Sequence, residues 1–109
     1  MIRIRVKRDH ENRMERIRIT GHAEYDQSGK DIVCAAVSGI SIGMVNAIEQ
    51  MFDVQVHASD DGNGKIDCQL PDRLSSEKQA SIRLLLEAMF LSLQNVADEF
   101  PSYVKISEW

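Results

Sequence analysis

The sequence predicts an α/β fold of the α+β kind, a two-layer sandwich whose sheet is mixed or largely antiparallel and covered on one face by two helices. Two observations lead there. Short stretches near both ends and in the middle alternate apolar with polar residues at period two, and two long stretches repeat apolar residues at helical spacing. A third, the turn-rich punctuation between them, sets the order β-β-α-β-β-α-β. At 109 residues the chain is read as one domain, residues 1–109, near the commonest domain size.

Each element follows from its residues. Ile2, Ile4 and Val6 alternate with Arg3, Arg5 and Lys7, the mark of a half-buried strand. "RDHENRM" is a polar turn region, after which Ile17 and Ile19 alternate with Arg16, Arg18 and Thr20 to complete a hairpin. From Asp31 to about Phe52, Val33, Ala36, Val37, Ile40, Met44, Ile48 and Met51 form a helical stripe. Val54 and Val56 begin a third strand, "SDDGNG" is a turn, and Ile66, Cys68 and Leu70 share one face of a fourth strand. Pro71 and Asp72 break that strand, Ser75 or Ser76 caps a second helix, and Pro101 follows its end near Asp98. Val104 and Ile106 mark a short fifth strand.

The second helix carries more apolar surface than one core stripe requires. Leu84, Leu85, Leu86, Met89, Phe90, Leu91 and Leu93 wrap well beyond the usual width, and a second copy of the chain is the expected cover. Gly39, Gly43 and Ala47 on the first helix permit a close neighbour, inside the chain or in a dimer.

The net charge of −4 hides an asymmetry: residues 1–20 hold seven Lys or Arg against three acids, the remainder six against fourteen. A basic first hairpin on an acidic body suits contact with nucleic acid or a basic partner. Alternation along two strands, however, places such arginines on a solvated face anyway, so direct nucleic-acid binding is not expected. Two Cys without a Cys-x-x-Cys pair give neither a disulfide framework nor a metal site, and no metal or cofactor is expected. No basic-then-apolar leader opens the sequence and no 18-residue apolar run occurs. Neither a cleaved signal nor a membrane span is expected, and free thiols in a reducing cytoplasm fit best.

Cys68 lies among apolar neighbours and reads as core filler. Cys34 also sits in an apolar run, yet with Asp31 as N-cap it occupies the third helical position. Unpaired N–H groups and the positive end of the helix dipole favour a thiolate there. His22, at the end of the second strand, is the one imidazole near it; His10 and His57 are expected in solvent. An imidazolium beside a helix-start thiol is the pairing that activates a cysteine nucleophile. The oxyanion of such a reaction would rest on N–H groups between Val33 and Ala35.

The stretch Gly21-His22-Ala23, with Tyr25, Gly29, Asp31 and Ile32-Val33-Cys34-Ala35-Ala36-Val37-Ser38, resembles the signature of the ribosomal-processing cysteine proteases, and length and element order agree along the whole chain. That resemblance implies a cytoplasmic homodimer that removes a short N-terminal extension from a large-subunit ribosomal protein. The extension is apolar and aromatic before the cut, with a small residue after it. It implies Cys34 as nucleophile and His22 as general base, with Gly21, Asp31 and Ser38 supporting them. Asp31 either caps the helix or orients His22, the cap being favoured. Tyr25 is either part of a closing loop or an ordinary loop aromatic. Two other readings compete: a non-enzymatic ribosome- or RNA-associated module using the basic hairpin, and a redox-sensing Cys34 without proteolysis.

Overall fold

The computed structural model describes residues 1–27, 30–58 and 66–109. Its elements are β1 (Ile2–Arg8), β2 (Met14–Thr20), α1 (Ile32–Phe52), β3 (Ile66–Gln69), α2 (Ser76–Glu99) and β4 (Val104–Glu108). The sheet order is β3-β2-β1-β4. β1 pairs antiparallel with β2 and parallel with β4, and β2 pairs antiparallel with β3, so the sheet is mixed.

Alternation decides which face the helices cover. Ile2, Ile4, Val6, Ile17, Ile19, Cys68 and Val104 point into one core with Val33, Val37 and Ile48 of α1 and Ile82, Leu86, Met89 and Leu93 of α2. Burying an aliphatic side chain of this size contributes about 1.5–3 kcal/mol. Arg8 forks onto Glu87 at 2.7 and 2.9 Å and pins β1 to α2. The opposite face of the sheet carries the intervening arginines.

Four details differ from the sequence expectation. Met14, placed in the polar turn, belongs to β2 and is buried, because an irregularity after Lys7 sets Arg8 opposite Met14. Met51 faces solvent, and the buried stripe of α1 runs instead through Ser41 and Val45. Ser41 satisfies its hydroxyl by donating to the Val37 carbonyl at 2.7 Å. The strand expected from Val54 is reduced to a single bridge, His57 to Cys68, among the described residues. The cause is Glu49: its carboxylate accepts the N–H groups of Val56 and His57 at 2.8 and 3.1 Å, so Val56 cannot donate to a ladder. Gly29 and the "SDDGNG" turn lie outside the described residues. Finally, α1 is long and apolar enough in composition to cross a membrane, although Ser and Gly interrupt its apolar residues. Here its Val33, Val37, Val45 and Ile48 pack into the core.

Candidate active site

β2 delivers His22 through one obligatory glycine. Gly21 has φ +83°, and a Cβ there would lie 2.3 Å from the Met1 carbonyl oxygen, so no other residue fits without moving β1. The His22 carbonyl accepts the Met1 amino group, fixing the backbone at the turn while the imidazole stays exposed.

Cys34 comes from the opposite side. Asp31 takes an extended conformation, φ −80° and ψ 102°, and its Oδ1 accepts the N–H groups of Val33 and Cys34, both at 3.0 Å. Asp31 is therefore the N-cap, and Cys34 stands in the first turn at the third helical position. Its other oxygen, Oδ2, accepts from Tyr25 at 2.9 Å and Asp26 at 3.4 Å. One carboxylate thus ties the loop after His22 to the start of α1. The Cys34 N–H foremost, then those of Tyr25 and Asp26, hold its carboxyl below the usual carboxylate range against the opposing effect of desolvation.

The loop is anchored at three further points. The Ala23 N–H points at Cys34 Sγ, 3.3 Å away, with Ala23 itself buried. The Tyr25 ring meets Phe100 and Tyr103 edge-on at 5.8 and 5.2 Å. Tyr25 thereby fastens the loop to the far end of α2. His22, Glu24, Asp26, Asp31, Cys34, Ala35 and Ser38 line one cavity of about 550 Å³. His22, Asp31, Cys34 and Ser38 border it directly, Gly21 sets His22 in place, and Tyr25 is not among the lining residues. Ser38 is exposed, and its hydroxyl makes no hydrogen bond among the described residues.

Two expectations are refined. Among the described residues the Asp31 carboxylate accepts the backbone N–H groups of Val33, Cys34, Tyr25 and Asp26, and His22 is not among its partners. The N–H groups expected to hold an oxyanion are already engaged: Val33 and Cys34 donate to the Asp31 carboxylate, and Ala35 donates to the Asp31 carbonyl at 3.0 Å. Sequence reasoning missed the Ala23 N–H, since backbone direction in a loop has no residue signature. It also missed Glu24 and Asp26, whose acidity on the cavity rim was visible but not weighed.

The two thiols differ sharply. Cys68 is fully buried on the core face of β3, and desolvation pushes its thiol up to about 12. Cys34 is only part-buried and opens on the cavity. No group of three or more His, Cys, Asp or Glu side chains suited to a metal occurs among the described residues.

A family model described as cysteine protease Prp matches residues 1–105. The chain belongs to that family. Among curated relatives, the ribosomal processing cysteine protease Prp of Bacillus subtilis is 28% identical across 98% of this chain and 96% of its own length. A crystal structure of the S. aureus Prp with a covalently linked product peptide superposes with a TM-score of 0.79 at 27% identity, covering both chains completely. SMU.848 from Streptococcus mutans superposes equally well, at 33% identity over 99% of this chain and 93% of its own. Membership in the Prp family makes the chain a cysteine protease and displaces the reading as a non-enzymatic module.

Proposed function

We propose that this protease removes a short N-terminal extension from a large-subunit ribosomal protein, with Cys34 as nucleophile and His22 as acid and base. The observation that carries the reading is the shared cavity: a helix-start thiol and the only nearby imidazole line the same 550 Å³ space. The relatives' name, ribosomal processing protease, supports the substrate class. The covalently linked peptide of the S. aureus relative supports a nucleophile that bonds to its substrate.

The Cys34 thiolate adds to the carbonyl carbon before the cut, giving a tetrahedral oxyanion. Its collapse breaks the C–N bond while His22, protonated, gives its proton to the departing amine. The resulting thioester is attacked by water as His22 takes up a proton, and loss of the sulfur restores the thiolate. The Ala23 N–H points at the sulfur and has no oxygen acceptor among the described residues. An oxyanion forming on a carbon bonded to Sγ falls within its reach, so Ala23 takes the role first expected of the helix start. Asp31 positions both walls of the site, and Ser38 offers a free hydroxyl to the peptide backbone.

The reading includes a cytoplasmic homodimer. Leu84 and Leu91 on α2 are 69% and 56% exposed, Ile42 and Met51 on α1 are exposed as well, and a Cβ at Gly39 or Gly43 would meet nothing within 4 Å of its own chain. Among the described residues those glycines make no close contact inside one chain, which leaves room for a second copy.

Incubating the ribosomal precursor with wild type, Cys34→Ala and His22→Ala tests this by intact mass. One cut near the precursor's N-terminus by wild type alone is expected. An intact precursor with folded, reduced wild type, or cleavage that survives in Cys34→Ala, would overturn it.

A further inference from the structure

The sheet face turned away from the helices carries a row of cations that the proteolytic site does not use. Arg18 and Thr20 of β2, Arg3 and Arg5 of β1, and Lys105 and Ser107 of β4 line a cavity of about 300 Å³. The register makes this a single constellation: Arg3 lies beside Thr20 on one side and Lys105 on the other, while Arg5 lies between Arg18 and Ser107. Among the described residues no carboxylate lines the cavity, and Arg3, Arg5 and Lys105 form no ion pair; Arg18 shares Asp67 with Arg16. Arg5 directly opposite Arg18 is a like-charge pair, which costs a sheet stability. Asp67 beside Arg18 and the Trp109 ring beside both guanidinium groups offset part of that cost, and an anion over the face would offset more.

Trp109 completes the surface. Its ring lies 4.4, 4.7 and 5.5 Å from the guanidinium carbons of Arg5, Arg16 and Arg18, and the residue stays 43% exposed. An open sheet with an accessible aromatic ring among cations and hydroxyls has the parts of a single-strand platform: cations and hydroxyls for phosphates, a ring on which a base stacks. Thr20 stands two residues before His22, so this face and the active-site cavity meet at the same end of β2.

We propose that this face docks single-stranded RNA through its phosphate backbone, with one base stacking on Trp109. It revises the expectation that these arginines form only a solvated face. The choice of RNA over other polyanions rests on the proposed ribosomal substrate, which is surrounded by RNA; the site's cationic chemistry does not.

The test is anisotropy of a labelled single-stranded RNA oligonucleotide titrated with the intact protein at 50 and 200 mM salt. Three phosphate contacts predict a log–log slope of about −2 and about 20-fold weaker binding at the higher salt. Arg3→Gln/Arg5→Gln/Lys105→Gln should flatten that slope and weaken binding at least about tenfold, while still cleaving a short isolated peptide at the wild-type rate. Trp109 is the sole tryptophan, so RNA should quench the wild-type fluorescence directly, without any variant. Trp109→Ala should weaken binding at least about fivefold. Absent binding and quenching by wild type, a salt slope unchanged in the triple variant, or equally tight binding of a polyglutamate peptide would each overturn the proposal. So would a parallel loss of peptide cleavage in the triple variant, which would assign the face to the peptide. RNA binding by a protein that cuts no precursor would instead leave this surface standing and sink the proteolytic substrate.

Discussion

Alkylation by iodoacetamide at pH 7 should separate the two cysteines by orders of magnitude. The reagent consumes thiolate, and a thiol near 12 is ionised in about one molecule in 10⁵ at that pH. An ordinary free thiol near 8.5 is roughly 3% ionised, so ionisation alone disfavours Cys68 by about three thousandfold. Burial adds to this, because Cys68 is 0% exposed and its Sγ faces the Ile17 carbonyl at 3.6 Å. Cys34 opens on the active-site cavity, so the folded protein should gain one carbamidomethyl group, located on Cys34 by peptide mapping. The second should appear only in denaturant. Comparable labelling of both thiols in the folded protein, or of neither, would refute the reasoning.

The Asp31 carboxylate predicts a kinetic signature. Asp31→Ala should lower kcat/KM on a peptide and melt at a lower temperature, because the cap of α1 and the tether of Tyr25 and Asp26 go together. It should leave the pH–rate profile in place; a displaced acidic limb would mean that Asp31 acts on His22 instead. Acid should unfold the protein through two other carboxyls. The Arg13 backbone N–H foremost holds Asp9 at about 2, and the Arg16 guanidinium holds Asp67 below the usual range. Both have folded values below their unfolded ones, so their stabilisation is full above about pH 4 and is lost as pH falls through each folded value, which for Asp9 is about 2. Circular dichroism across that window should show Asp67→Asn, although less stable at pH 7, losing less stability in acid than wild type does.

The periodic parts of this fold were legible in the sequence because burial writes a period into it. Ile2, Ile4 and Val6 at period two, and the helical stripe from Val33 to Ile48, were read in the right elements. Asp31 and Cys34 were legible for a different reason: a helix start needs a capping acceptor, and a cap fixes the position three residues later. What escaped depends on contacts between distant residues. The loss of the third strand turns on Glu49, seven residues before Val56, taking N–H groups that a strand would use. Ala23 as a donor at the sulfur depends on a loop fold that no residue type announces. The gathering of Arg3, Arg5, Arg18 and Lys105 depends on β4 pairing parallel to β1, which alternation within a strand does not reveal.

The most direct measurement is the mass of the enzyme itself during turnover. A precursor peptide mixed with excess enzyme is quenched in acid within the first turnover, and the protein is mapped. An acyl group equal to the amino-terminal fragment, attached through a thioester at Cys34, is the expected result. His22→Ala should form no such adduct, because no imidazolium protonates the departing amine. Product formed at full rate with no adduct on Cys34, or an adduct on any other residue, would contradict the assignment of the site.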